Sequence, residues 1–253
     1  MTAALPPWCR LVRADNPGPM TLQGTNTYVL STQAGNVVVD PGPLLDEHLE
    51  AVAALGPVVL TLLTHGHPDH AESSGRFHTM TGAPVRARDP ALCKDGDPLD
   101  VDGAAVEAPG LDLGVLHTPG HSADSVSFTV SSTGVAGVLT GDTILGSGST
   151  VLAFPDGRLG PYLDSLARLR ALGHIVLLPG HGPVRPDVAA VAGYCLAHRA
   201  ERLGRVREAL AAGAATAREV VEVVYADVDP SLWPAAELSV RAQLAYLAER
   251  DDR

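Results

Sequence analysis

The sequence predicts an α/β body reaching to about residue 185, followed by a helical module over residues 186–253. Three observations carry that expectation. Short runs rich in β-branched and aromatic residues alternate with helical periodicities through the first part of the chain. Beyond Pro186 the texture becomes nearly continuous helix. Histidines and aspartates also fall directly after several of the apolar runs, where strand ends deliver side chains to one rim. At 253 residues the chain has room for one large domain and a small appendage.

Taken in order, residues 27–31 and 36–40 read as two strands of a hairpin around the turn Gln33-Ala34-Gly35-Asn36. Residues 46–55 have helical spacing. Residues 58–64 form a continuous apolar run suited to a strand buried on both faces. A helix at 73–81 and a strand at 84–87 follow. The stretch 89–114, rich in Pro, Gly and Asp, is the least regular. Strands resume at 115–118, 125–130 and 135–140, before a glycine-rich loop at 146–149. A helix at 161–172 and a strand at 175–178 complete the body. The module contributes helices at 188–211, 217–225 and 235–250, and Thr216-Ala217-Arg218-Glu219 has capping-box form. No repeat of solenoid length is present.

Composition narrows the function classes. The formal charge is −11, with Lys94 the sole lysine against seventeen arginines, and residues 199–253 hold eight arginines against ten acidic groups. Phosphate-backbone binding needs clustered positive charge, so a nucleic-acid-reading module is disfavoured and a packing or dimer-forming cap is expected. No apolar run approaches the roughly 20 residues of a membrane span. The start, MTAALPPWCRLVRADNP, has neither a secretory nor a transit pattern, so cytoplasmic residence is expected. Cys9, Cys93 and Cys195 are far apart and form no C-x-x-C pair, which argues against disulfides and a thiolate metal site.

The chemistry concentrates in Thr64-His65-Gly66-His67-Pro68-Asp69-His70. Three imidazoles and a carboxylate fall within six residues, on a segment read as a loop able to wrap a metal pair. Imidazole and carboxylate are ligands that zinc accepts, and no cysteine is required. His121, Asp142 and His181 stand at later strand-to-loop junctions, each directly preceded by glycine. The remaining histidines read as structural or surface groups: His48 and His78 as solvent-facing helix residues, His174 as structural, His198 as helix surface and His117 as core or supporting. Arg86 and Arg88 read as a solvated strand end.

The order H-x-H-x-D-H, HTPGHS, GD and GHG resembles the metallo-β-lactamase superfamily over roughly residues 20–185. That resemblance implies a metallo-β-lactamase αββα sandwich as catalytic domain (1–185) with a small helical C-terminal module. It also implies two Zn2+ per chain, with Mn or Fe as alternatives. One metal would be held by His65, His67 and His121, the other by Asp69, His70 and His181, with Asp142 bridging. Asp40, in Val39-Asp40-Pro41-Gly42, matches an aspartate that supports the ligands from behind. The runs from Thr21 to Tyr28, Gly141 to Gly146 and Pro179 to Val184 resemble the lactamase-beta-2-like branch, which carries a winged-helix-like C-terminal module. Two departures stand out. Glu72-Ser73-Ser74-Gly75 stands where relatives often carry Ser-Gly-Gly, and no stretch after the last helix reads as a wing.

The expected function is a dinuclear zinc-dependent hydrolase with Asp69 and Asp142 as catalytic carboxylates. Two metals about 3.5–4 Å apart would share a water and lower its pKa toward about 7. The bridging hydroxide would attack an ester, thioester or phosphodiester. An endoribonuclease acting on single-stranded RNA, which the branch includes, is the alternative within the fold; glutathione-thioester hydrolysis is another, and a secreted β-lactamase is disfavoured. A non-catalytic, metal-stabilised regulatory or interaction protein is the alternative of another class. A small-molecule ester or thioester is the expected partner, with no membrane partner and homodimerisation left open.

Overall fold

The computed structural model describes residues 3–100 and 103–251. Val101 and Asp102, within the irregular stretch, and Asp252 and Arg253, beyond the last helix, lie outside the described residues.

The strands form two five-stranded sheets. In the first, β1 (Cys9–Arg13), β2 (Asn26–Ser31), β3 (Asn36–Val39), β4 (Val58–Leu62) and β5 (Val85–Arg86) lie in sequence order. The first three are antiparallel; β4 and β5 join in parallel. The second comprises β6 (Ala105–Val106), β7 (Asp112–His117), β8 (Val126–Ser132), β9 (Val135–Gly141) and β10 (Val176–Pro179), in the order β10-β9-β8-β7-β6. Only β9 and β10 are parallel there.

Parallel neighbours need a crossover, and each has helix in it. Helix α1 (Asp46–Ala53) links β3 to β4. A single turn, α2 (Pro68–Ala71), and α3 (Ser74–Thr81) link β4 to β5. Helix α4 (Leu159–Ala171) links β9 to β10. Strand alternation then sorts the side chains into layers. Tyr28, Leu30, Val37, Val39 and Leu62 meet Val115, Phe128, Leu139 and Leu178 between the sheets. Val29 and Val38 point the other way, onto Leu49 and Val52 of α1 and Phe77 of α3. Val138 and Leu177 pack on Leu166 and Leu169 of α4. The result is an αββα sandwich.

The module adds α5 (Val188–Ala211), α6 (Ala217–Val224) and α7 (Trp233–Asp251). Its apolar residues join the cluster that begins on β9 and β10, so α4 is covered from the far side. Asp187 caps α5 by accepting from the Ala190 amide, and Thr216 with Glu219 forms the capping box at α6.

Three local expectations are corrected. Residues 68–71 form one helical turn rather than loop, because Pro68 at the first helical position has no amide to leave unpaired. His48 is buried, not solvent-facing, because His48, Leu49 and Val52 fall on one helical stripe and α1 buries that stripe. His78 is half-buried and its Nδ1 bonds the Ala83 carbonyl. Strands β1 and β6 were not expected: β1 lies at one edge of its sheet, and β6 is two residues long.

Candidate metal centre

Strands β3, β4, β7, β9 and β10 all end toward one rim of the sandwich, and the loops leaving them carry Asp40, His65–His70, His121, Asp142 and His181. Asn26, within the Thr21–Tyr28 run, closes this rim. Its side-chain amide donates to the Pro179 and Gly182 carbonyls, both at 2.9 Å, and Tyr28 donates its hydroxyl to Pro179 at 2.9 Å. The loop carrying His181 on the second sheet is thereby fastened to the first.

The expected residues converge in two groups. His65 Nε2 lies 3.1 Å from His67 Nδ1, which lies 2.9 Å from His121 Nε2. In the second group His181 Nε2 lies 3.2 Å from His70 Nε2 and 3.0 Å from Asp69 Oδ2. Asp142 stands between them: Oδ1 faces His70 and His181 Nε2, each at 3.4 Å, and Oδ2 faces His121 Nε2 at 3.7 Å.

The outer nitrogens of four of these rings are engaged. His70 Nδ1 donates to Asp40 Oδ2 at 2.8 Å, His121 Nδ1 to the Val151 carbonyl at 3.0 Å and His181 Nδ1 to the Gly24 carbonyl at 3.3 Å. The Thr64 hydroxyl donates to Asp40 Oδ2 at 2.7 Å, leaving its oxygen to accept from His65 Nδ1 at 3.0 Å. These bonds assign the tautomers and turn four Nε2 lone pairs inward. His67 instead presents Nδ1.

Inward-facing lone pairs repel unless a cation lies among them. A zinc–nitrogen distance of about 2.0–2.1 Å in tetrahedral geometry spaces ligand atoms about 3.3–3.4 Å apart, close to the separations above. Asp142 Oδ1 is also buried without a hydrogen-bond partner, which a cation would satisfy. The donor set therefore fits divalent metal.

Two glycines make the approach possible. Gly141 has φ +48°, and a Cβ there would meet Thr64 Oγ1 at 2.5 Å; at Gly180 it would meet Asp142 Oδ1 and His70 Cε1, both at 2.7 Å.

Several supporting groups were not found in the sequence. Thr64 joins Asp40 to His65. Asp40 itself has φ +54°, and its carbonyl accepts from Thr27 Oγ1 at 2.6 Å, which in turn accepts from His48 Nε2 at 2.8 Å. The apolar stripe around His48 is the one sequence signal that pointed to its burial. The other polar residues lie apart from the centre. Ser122 is tied to Asp124 and Ser125 by bonds of 2.6 Å. Arg86 donates to the Asp97 and Pro98 carbonyls, and exposed His174 pairs with Asp187 at 2.7 Å.

A two-sheet sandwich with histidines and aspartates gathered on one rim defines a metallo-β-lactamase-fold hydrolase. Residues 20–181 match the metallo-beta-lactamase superfamily and residues 216–252 the beta-lactamase associated winged helix domain. The chain belongs to the metallo-β-lactamase superfamily. It is 31% identical to a "Beta-lactamase-like protein 2 homolog" of Drosophila melanogaster, covering 92% of this chain and 85% of the relative. It is 33% identical to an "Atrochrysone carboxyl ACP thioesterase" of Aspergillus chevalieri, over 87% of this chain and 74% of that one. Among solved structures, a metallo-beta-lactamase family protein of Thermus thermophilus superposes with a TM-score of 0.83 at 27% identity, covering 98% of this chain and 95% of that one.

Proposed function

We propose that the chain is a dinuclear zinc hydrolase of thioesters, with residues 1–185 as catalytic body and 186–253 as a module flanking the cleft. The observation that carries this reading is the pair of inward-facing donor sets with Asp142 between them. His65, His67 and His121 would hold one zinc, and Asp69, His70 and His181 the other. The thioester preference is supported by the thioesterase-named relative, and the acidic chain draws no objection from it.

When bound, the metal pair supplies a water acidified toward neutral pH and a Lewis acid for the attacked carbonyl. The protein's own contribution is orientation. Asp40 fixes His70, and through Thr64 also His65, so both imidazoles stay in one tautomer. Asp69 is partly exposed where His70 and His181 are buried, so its carboxylate can accept a hydrogen bond from the attacking water. Water adds to the thioester carbon, the carbon–sulfur bond breaks, and acid and thiol leave.

Metal analysis of protein purified without chelator should give close to two zinc per chain; fewer than one would sink the proposal. His121→Ala and Asp69→Ala should each lower thioester hydrolysis by about 10²–10⁴-fold. Single-stranded RNA, a phosphodiester and nitrocefin belong in the same panel. RNA cleavage that falls steeply with salt, without thioester turnover, would replace the thioester reading.

A further inference from the structure

The cleft beside the candidate metal centre does not end there. A depression of about 170 Å³ is lined by His121 and Asp142 on one side and by Pro19, Met20, Thr150 and Val151 on the other. Those last four residues also wall a second cavity of about 300 Å³, whose far side is built from the C-terminal module. Tyr225, Val228, Leu232, Ala235 and Ala236 supply that far side. The two cavities are thus neighbours that share a wall, and together they reach from the metal-centre residues to the junction of body and module.

The second cavity contains polar groups, His198 and Ser149 among them, and three of the others are bonded within the protein. Arg199 donates to the Thr150 carbonyl and lies over the Tyr162 ring at 5.0 Å. Arg202 donates to the Val224 carbonyl at 2.7 Å and lies over the Tyr225 ring at 4.6 Å. Ser239 Oγ accepts from the Leu152 amide at 3.2 Å. The rest of the lining is mostly apolar, with Met20 and Leu232 substantially exposed.

We infer that this cavity is an acyl-binding subsite, taking the apolar acyl group of a thioester whose carbonyl sits beside His121 and Asp142. The inference rests on the hydrolase reading above and deepens it. An amide-bearing thiol arm is the poorer occupant. Its amides would lose water against a mostly apolar wall on which Arg199, Arg202 and Ser239 already bond to the protein itself, and an unpaired buried amide is costly. An alkyl or aryl acyl group loses nothing there and gains burial in proportion to its apolar area. The C-terminal module thereby helps set which acyl groups are accepted.

The test has two arms. With zinc-loaded protein, acyl-N-acetylcysteamine thioesters from acetyl to octanoyl should rise in kcat/KM by roughly a hundredfold or more. Ala236→Phe, which fills the cavity, should abolish that rise. Met20→Ser should reduce the rise without disturbing packed core. In the second arm, the non-hydrolysable thioether S-octyl-N-acetylcysteamine should bind wild type and His121→Ala equally by calorimetry, and Ala236→Phe at least tenfold more weakly.

Thioester turnover that is flat with chain length, together with no thioether binding, would overturn the subsite and leave the hydrolase reading intact. Thioether binding lost in Ala236→Phe, with no thioester hydrolysed, would sustain the subsite and remove the hydrolase reading. A terminal carboxylate preferred over a methyl at equal length would overturn the apolar assignment, since the two guanidiniums would then be reading the substrate.

Discussion

His70 and His181 face carboxylates, whereas His65 and His121 sit largely among other imidazoles, and this sets opposite protonation in the metal-free protein. Burial pushes His65 well below its ordinary range, and His70 and His121 push it further the same way. Burial, aided by His67, lowers His121 against the pull of Asp142. Burial would lower His70 too, but Asp142 and Asp40 outweigh it and hold it well up. His181 likewise stands at about 9 despite burial, through the Asp142 and Asp69 carboxylates beside it. The unfolded value is near 6.5. Protonated His70 and His181 therefore stabilise the metal-free fold below about 6.5; as pH rises that contribution fades, for His181 through about 9. Neutral His65 and His121 contribute above about 6.5 and lose that contribution as pH falls. The metal-free thermal midpoint should thus peak near pH 6.5 and decline toward 9. Metal binding displaces the protons, so the loaded protein should lose the alkaline decline. A metal-free midpoint that stays level from 6.5 to 9 would refute this.

Gly180→Ala tests the close approach at the same scale. The new Cβ would have to push back Asp142 and the His70 ring, so zinc content should drop by at least one per chain while the far-ultraviolet spectrum stays native. Undiminished zinc would mean that the rim yields more than its packing suggests. The convergence of these side chains was legible in the sequence because three imidazoles and a carboxylate fall within six residues and each later candidate follows a glycine. The acceptors behind them were not. A lone Thr64 has no pattern, and the Gly24 and Val151 carbonyls belong to every residue type alike; only folding brings them to the histidines.

At the scale of elements, legibility followed the strength of the period. The hairpin and the β4 run came through as short, continuous runs of β-branched and apolar residues, and α5 through its length of 24 residues. Strand β1 has a mixed burial pattern, and β6 has two residues, too few to show an alternation. The turn α2 is four residues long, too short to show a helical period, and it carries Asp69 and His70, two of the proposed ligands. The capping box at α6 was legible because its chemistry is local. Thr216 Oγ1 accepts from the Glu219 amide at 3.2 Å, and the Glu219 carboxylate accepts from the Thr216 amide at 3.0 Å. Thr216→Ala removes the first of these bonds and should destabilise the protein by about 1 kcal/mol in urea unfolding. Thr216→Ser, which keeps the hydroxyl, should remain within a few tenths. Equal losses in both variants would assign the effect to the threonine methyl rather than to the cap.

At the scale of the molecule, the division of the chain into body and module can be set against the continuity of its core. No helix among the described residues is long and apolar enough to cross a membrane. One cluster runs from Val138 and Leu177 in the second sheet through Leu166 and Leu169 of α4 to Val206, Val221 and Val240 in the module. Elements that share so much buried surface lose it together, so body and module should unfold in one cooperative transition. The two tryptophans report on the two parts separately. Trp8 lies in the body, bonded to the Val135 carbonyl at 3.2 Å; Trp233 opens α7, with Arg218 over its ring at 4.8 Å. In single-tryptophan proteins made by Trp8→Phe or Trp233→Phe, urea melts followed by fluorescence should coincide with the loss of helix. Val206→Ala, placed in α5 between the parts, should shift both reporters by the same roughly 1–3 kcal/mol. If the Trp233 signal melted first and Val206→Ala moved it alone, the module would be a separate folding unit. A groove built across the junction would then open whenever the module does.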